Sequence, residues 1–415
     1  MKKLKVLISA YACNPSSSAR LHPGEDIKGW RFMRQVSRFH DIWVITHSYN
    51  KAGVEKALDP KALPRVKFIF INLPAWIRLL YKIDFGQRIY YYLWQIKAWM
   101  VARRLHRQIQ FDIAHHLSFG NDWIPSFIGA LLPVPFIWGP LGGGQRTPEL
   151  LLAEYSLYGR FAEKMRDLAQ FIGRNDYFRR RCLKRSAAIL VCNKETREKI
   201  PNRYQSKLYW FPLNGIFPED LVEQDKAKKK GECFRIVSAG RLHRLKGFAL
   251  AIKAFEDFSK KYPNSEFNII GKGPEYSRLS KTILERNLSA KVKISTWMNR
   301  QDLLAQFRES DVFLFPSFRD GGGAVVVEAM AAGLPVICLN TGGPGFHVSP
   351  EWGMKIEPYS PEYVQRHMTL GLEHLYLNRS ICEKMGKNAI QRAKEFYLSD
   401  RLGERINQIY LDIIG

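Results

Sequence analysis

The sequence predicts an α/β protein made of two doubly wound parallel-sheet domains in tandem. Three observations carry this expectation. At 415 residues the chain exceeds what one hydrophobic core comfortably organises. Short β-branched runs alternate with helical patterns along most of it, which calls for parallel strands joined by crossover helices. A polar, lysine-rich stretch, EDLVEQDKAKKKGE at residues 219–232, interrupts that rhythm before it restarts.

The first domain is expected over residues 1–214. Its opening, MKKLKVLISAYAC, has the charge-then-apolar outline of a leader, but Lys5 interrupts the apolar run and a buried first strand fits better. A helix near Lys28 to Phe39 follows, then the strand runs IWVITH, VKFIFIN, FDIAHH, PFIWG and AAILVCN. The second domain is expected over residues 215–395. It runs FRIVSAG, a helix around Ala249 to Lys261, FNIIGKG, VKIS, VFLFPS, a helix at Val326 to Ala332, and PVICLN. The last segment, LSDRLGERINQIYLDII, is an amphipathic helix that fits against either domain.

Composition narrows the function classes. Apolar residues at 46% and charged residues at 25% exclude wholesale disorder. No run of about 18 apolar residues suggests a spanning helix. The net charge of +25 favours anionic partners: nucleic acid, an acidic membrane face or phosphate-bearing substrates. The six cysteines, Cys13, Cys182, Cys192, Cys233, Cys338 and Cys382, show no metal spacing and read as reduced core thiols of a cytoplasmic protein. Neither a serine-hydrolase elbow nor a P-loop lysine occurs.

Open parallel sheets hold ligands beyond the carboxyl ends of their strands. Four loops of the second half sit there. SAGRLHRLKG offers Arg241 and Lys246, a planar fork and a point charge suited to a diphosphate. IIGKGPE offers Gly271 and Gly273, where backbone approaches closely. RDGGGAVVVEAMAAGLPV offers Asp320, the bare amides of Gly321, Gly322 and Gly323 at a helix start, and Glu328 eight positions beyond Asp320. Carboxylates accept paired hydrogen bonds from vicinal hydroxyls, so one suits a sugar ring and the other a ribose. CLNTGGPGF is the fourth. Taken singly, glycines serve turns, cations a solvated face, and Glu328 a helix start.

The succession SAGRLHRLKG, IIGKGPE, FPSFRDGGGAVVVEAMAAGLPVI and TGG resembles the family 4 retaining nucleotide-sugar glycosyltransferases. The resemblance implies the GT-B fold, two Rossmann-like domains facing a central cleft. The second would bind the sugar nucleotide (a UDP- or GDP-sugar) and the first the acceptor, with the terminal helix 396–415 returning to the first. It implies no metal and no cofactor besides the donor. Arg241 and Lys246 would then hold the diphosphate and assist its departure. Glu328 would hold the ribose, Asp320 the donor sugar, and the backbone at Gly321, Gly322 and Gly323 its hydroxyls or phosphate. The family usually has glutamate where this chain has Asp320.

In the first domain the resemblance assigns Gly24, in NPSSSARLHPGED, to the donor phosphates. In FDIAHHLSFGNDWIPS it places a histidine at the sugar pocket. Both His115 and His116 are candidates, His116 for catalysis and His115 for the acceptor, with core packing as the alternative for each. Asn121 and Asp122 are further candidates for the pocket wall. IWGPLGGGQRTP offers Gly142, Gly143 and Gly144, the last two expected at the acceptor, or else a plain turn.

Aromatic and basic residues interleave in AWIRLLYKIDFGQRIYYYLWQIKAWMVARRLHRQ and GRNDYFRRRCLKRS. Such a mixture fits an anionic membrane interface, or helices whose aromatics are core and whose charges are solvated. The expected function is thus a retaining glycosyltransferase of surface polysaccharide or lipopolysaccharide type, peripheral on the inner membrane face, acting on a glycan or lipid-linked acceptor. A GT-B sugar-nucleotide epimerase is the alternative. A nucleic-acid binder is disfavoured, because no DNA- or RNA-reading motif is present.

Overall fold

A computed structural model describes the chain except for residues 1–2, 16–22, 60, 62, 83–85, 118, 222–232 and 297. Most of the expected linker 219–232 therefore lies outside the described residues. The chain forms two compact units.

The first unit comprises Met1–Gly144, Arg166–Leu213 and Ser399–Gly415. Its sheet contains β1 (Lys5–Ser9), β2 (Asp41–His47), β3 (Val66–Ile71), β4 (Ile113–His116), β5 (Phe136–Leu141), β6 (Ser186–Val191) and β7 (Leu208–Trp210). The order is β3-β2-β1-β4-β5-β6-β7, and every pair is parallel. The opening apolar run is thus the strand β1. Four helices matter below: α1 (Pro23–Ser37), α2 (Gly86–Ile109) and α4 (Tyr177–Arg185) of this unit, and α3 (Leu157–Arg174), whose residues 157–165 are counted with the second unit.

Each sheet face carries its own core, as a doubly wound sheet requires. On one face Tyr90, Tyr91 and Trp94 of α2 pack with Trp138 and Phe136. The aromatic residues of α2 proposed for a membrane are therefore core at these three positions. On the other face Trp30 and Met33 of α1 pack with Phe211 and with Ile406 and Tyr410 of the C-terminal helix Ser399–Ile414. That helix is further tied by Arg38 to Asp400 at 2.5 Å and by the Arg405 guanidinium donating to the Trp210 carbonyl at 2.9 Å.

The second unit comprises Gln145–Met165 and Asn214–Leu398. Residues 145–165 were assigned by sequence to the first domain; here Leu151 and Tyr155 are buried in the core around Phe248 and Phe318. Its sheet contains β8 (Phe234–Ala239), β9 (Ser265–Ile270), β10 (Val292–Ser295), β11 (Val312–Phe315), β12 (Val336–Leu339) and β13 (Gly353–Ile356), in the parallel order β10-β9-β8-β11-β12-β13. The helices used below are α5 (Phe248–Lys261), α6 (Arg300–Glu309), α7 (Ala324–Ala331) and α8 (Gly342–His347). In α5 the buried Phe248, Ile252, Phe255 and Phe258 recur at helical spacing and form the stripe facing the sheet.

Among the described residues no helix is long and apolar enough to cross a membrane. The cysteines are free; all are buried except the partly buried Cys233. Burial pushes the Cys182 and Cys338 thiols up to about 12, which leaves them inert as nucleophiles at ordinary pH.

Candidate nucleotide-sugar site

In the second unit the strand order reverses between β8 and β11, the place where doubly wound sheets open a crevice. Two loops border this point. Lys246 ends a single helical turn after β8, and Asp320 lies after β11. Their side chains form an ion pair across the switch point, both largely buried. The other Asp320 oxygen accepts the amide N–H groups of Gly322 and Gly323 at 3.1 and 2.7 Å. The carboxylate therefore caps the loop that starts α7, with its charge against the positive helix end. A short side chain achieves this, which gives a physical reason for aspartate at this position.

Gly323 is required by conformation. Its φ of +54° lies in the left-handed region, and an added Cβ would press on Pro344 and His347. The Asp320 carbonyl also accepts the Gly343 amide at 2.9 Å, so the loop after β12 and the start of α8 close against the same turn. Behind it, His347 is buried with Nε2 at 2.8 Å from the Gly322 carbonyl and Nδ1 at 2.7 Å from the Tyr397 hydroxyl. Burial is the main cause that brings its imidazole down to about 4, so it is neutral near pH 7.

Gly271 and Gly273 flank this edge from β9. A side chain on either would collide with the backbone of Gly240 or Leu242 in the β8 loop. Their smoothness thus seats one loop on another. Arg241 stands exposed in that loop, and among the described residues it has no ion pair.

Glu328 lies in α7 and pairs with Arg300, the first residue of α6. Arg300 also grips the buried Asp220 in a fork, at 3.0 and 2.7 Å. Burial alone would lower the Arg300 pKa, but the two carboxylates outweigh it and raise it. Lys246, Asp320 and the Gly321–Gly323 loop form one cluster; Arg241 precedes Lys246 in the loop after β8, and Glu328 follows the glycines in α7. No hydrogen bond or ion pair joins Arg241, Lys246 and Glu328 to one another.

Sequence reasoning missed Arg300, Asp220, His347 and Tyr397. Each acquires its role from partners at least 25 positions away, although Asp220 also accepts the Phe217 amide three residues before it.

In the first unit the switch point lies between β1 and β4. His115, expected at an acceptor, is 1% exposed. Its Nδ1 lies 2.7 Å from the Tyr410 hydroxyl and its Nε2 2.7 Å from the Gly139 carbonyl. Burial brings it down to about 4. It is a framework residue. His116 points to the other sheet face, where Nε2 lies 2.9 Å from the Tyr91 hydroxyl. It closes β4 opposite Ser9 of β1, at the switch point itself.

The Gly142–Gly144 loop is engaged internally. The Gly142 amide donates to the Gly120 carbonyl, the Gly143 carbonyl accepts from Arg166 and Gln170, and the Gly144 amide donates to Thr196. Asn121 caps the amides of Trp123 and Ile124, and the buried Asp122 holds Arg174 at 2.7 Å. These two serve the loop's own structure. Gly24 lies in the first turn of α1, and residues 16–22 before it are outside the described residues.

Two Rossmann-like units of parallel strands, with charged loops at a switch point, define the GT-B class. Residues 221–392, which lie in the second unit, match the family described as Glycosyl transferases group 1. An uncharacterized glycosyltransferase of Haemophilus influenzae is 30% identical over 166 residues, 39% of this chain and 45% of that protein. The alpha-monoglucosyldiacylglycerol synthase of Acholeplasma laidlawii is 29% identical over 192 residues, 46% of each chain. The chain thus matches less than half the length of these relatives. The crystal structure of Anabaena HepE in complex with UDP superimposes with a TM-score of 0.61 at 14% identity, covering 99% of this chain and 100% of that one, a likeness of fold.

Proposed function

We propose that the chain is a retaining glycosyltransferase that moves a sugar from a nucleotide-diphosphate donor, a UDP- or GDP-sugar, to a glycan or lipid-linked acceptor in surface polysaccharide synthesis. The observation that carries this is the cluster of Lys246, Asp320 and the Gly321–Gly323 amides across the β8/β11 switch point, within the residues that match the group 1 family. Lys246 and the exposed Arg241 neutralise the departing diphosphate, and the N-terminus of α7 adds its dipole. Glu328, oriented by Arg300, holds the ribose hydroxyls, and Asp320 meets the donor sugar. In the family 4 pattern the sugar transfers on one face, and the leaving phosphate takes the acceptor proton. His116, buried beside the Tyr91 hydroxyl at the end of β4, would act there at the first unit's switch point. The likeness to a diacylglycerol-glycosylating enzyme and to a UDP-bound structure supports these substrates, as does the +25 charge, which suits work at an anionic membrane.

Thermal unfolding with UDP, GDP and ADP tests the donor site. The cognate diphosphate at a hundred times its dissociation constant adds about 2.7 kcal/mol of stability. Lys246→Ala removes that gain and abolishes turnover with a cognate donor while the fold remains. Equal stabilisation of wild type and variant, or none by any of the three, overturns the assignment.

A further inference from the structure

Helix α3 is amphipathic the wrong way round. At 3.6 residues per turn, Leu157, Phe161, Met165, Leu168, Phe171 and Ile172 fall within roughly 120° of its circumference. This face is the exposed one: Leu157 is 83%, Phe161 61%, Phe171 66% and Ile172 63% accessible. The opposite, polar face is turned inward. There Glu163 pairs with Arg319, Arg166 and Gln170 donate to the Gly143 carbonyl, and Arg174 binds Asp122. Large apolar side chains left in water while ion pairs anchor the helix do nothing for the fold of the chain, since apolar burial is the main stabilising term. Such a face needs something to cover it.

Charge selects the occupant. Arg160 and Lys164 are exposed along one border of the stripe. The next helix, α4, contains no acidic residue, exposes Arg180, Lys184 and Arg185, and leaves Tyr177 64% accessible beside them. Of the two acids in α3, Glu163 is buried on the inward face and paired with Arg319, and Asp167 is partly buried beside the basic border, where the two exposed cations outnumber it. A second copy of this chain would set like charges face to face. An anionic bilayer surface matches both features, because aromatic and aliphatic groups enter the headgroup–acyl boundary while flanking cations meet lipid phosphates. The 18 residues of α3 make a rod of about 27 Å, long enough to lie in that plane.

We propose that α3, with the start of α4, is the surface by which this protein docks on anionic lipid. The inference deepens the membrane part of the proposed function and moves it from the interleaved helix α2, whose Tyr90, Tyr91 and Trp94 are buried, to a helix whose apolar face is open.

Co-sedimentation of the full chain with vesicles of phosphatidylcholine, alone or with phosphatidylglycerol, tests it. Wild type pellets with the anionic vesicles. The pair Phe161→Glu and Phe171→Glu lowers the partition coefficient roughly tenfold or more, and Arg160→Glu with Lys164→Glu lowers it on anionic vesicles alone. Nucleotide binding, read by thermal shift, is unchanged in both, which separates this surface from the donor site. Three results overturn the proposal: no preference of wild type for anionic vesicles, pelleting of the Phe161/Phe171 variant equal to wild type, or a wild-type dimer that this variant converts to monomer without vesicle binding.

Discussion

Each unit buries one histidine between a glycine carbonyl and a tyrosine hydroxyl, yet the two clamps hold different things. His115 joins Gly139 and Tyr410; His347 joins Gly322 and Tyr397. A carbonyl only accepts, so in both rings Nε2 carries the proton and Nδ1 accepts from tyrosine. Gly139 lies inside β5, so the first clamp stiffens the sheet. Gly322 lies in the Asp320 turn, so the second stiffens the loop proposed to face the donor. The same three groups make framework in one place and a binding loop in the other, and the neighbours decide which.

Breaking the clamps separates these roles. His115→Leu and His347→Leu each strand a carbonyl and a hydroxyl, with an expected loss of about 2–4 kcal/mol in urea unfolding. Only His347→Leu also weakens binding of the cognate diphosphate. Equal weakening by both would erase the distinction. The pH dependence has a defined sign. Both folded values, about 4, lie below the ordinary 6.5, so the unfolded chain binds more protons between these limits. Stability is full above pH 6.5 and falls as pH drops toward 4, by roughly 3 kcal/mol per histidine. In the double leucine variant, urea midpoints between pH 7 and 4 follow a correspondingly flatter course.

The sheets and the switch-point loops were legible because their signals are local. A β-branched run such as FRIVSA and a triple glycine before a helix each announce themselves within ten residues. The segment 145–165 was not legible, since Leu151 and Tyr155 choose their core by tertiary fit. Nor did the order His115–His116 show which ring is spent on framework: adjacent strand residues face opposite sides, and only the register reveals what each side meets. The inverted polarity of α3 was equally hidden, because a sequence gives the apolar stripe but not the direction it faces.

Arg300 sharpens the comparison from the charged side. It has no counterpart described at the first switch point, and it alone links Glu328 to Asp220. Arg300→Leu leaves two carboxylates unpaired. Because Arg300 is about a third exposed, solvent screens part of the loss, and the expected destabilisation is about 2 kcal/mol. If Arg300 orients Glu328 for a ribose, affinity for the nucleoside diphosphate falls roughly tenfold, while affinity for inorganic pyrophosphate stays the same. Arg300→Lys recovers charge but not the fork, and restores binding only in part. An equal drop for both ligands would mean that Arg300 supports the fold and not the ribose contact.

The smallest effect concerns the Asp320 carboxylate, which occupies the helix-end position that also suits a phosphate. Asp320→Asn keeps an oxygen for the Gly322 and Gly323 amides and gives up the pair with Lys246. The expected loss of stability is below about 1 kcal/mol, since a capping oxygen remains and the lost ion pair is partly solvated. Lys246 is then released from its carboxylate, so binding of the cognate diphosphate, measured by calorimetry, strengthens even as sugar transfer falls. Asp320→Glu is longer by one methylene and loses the tight turn to the two amides, which weakens the loop without freeing Lys246. Stronger diphosphate binding in the asparagine variant and not in the glutamate variant identifies the carboxylate as a stand-in for the donor's charge. Identical binding in both assigns Asp320 to capping alone.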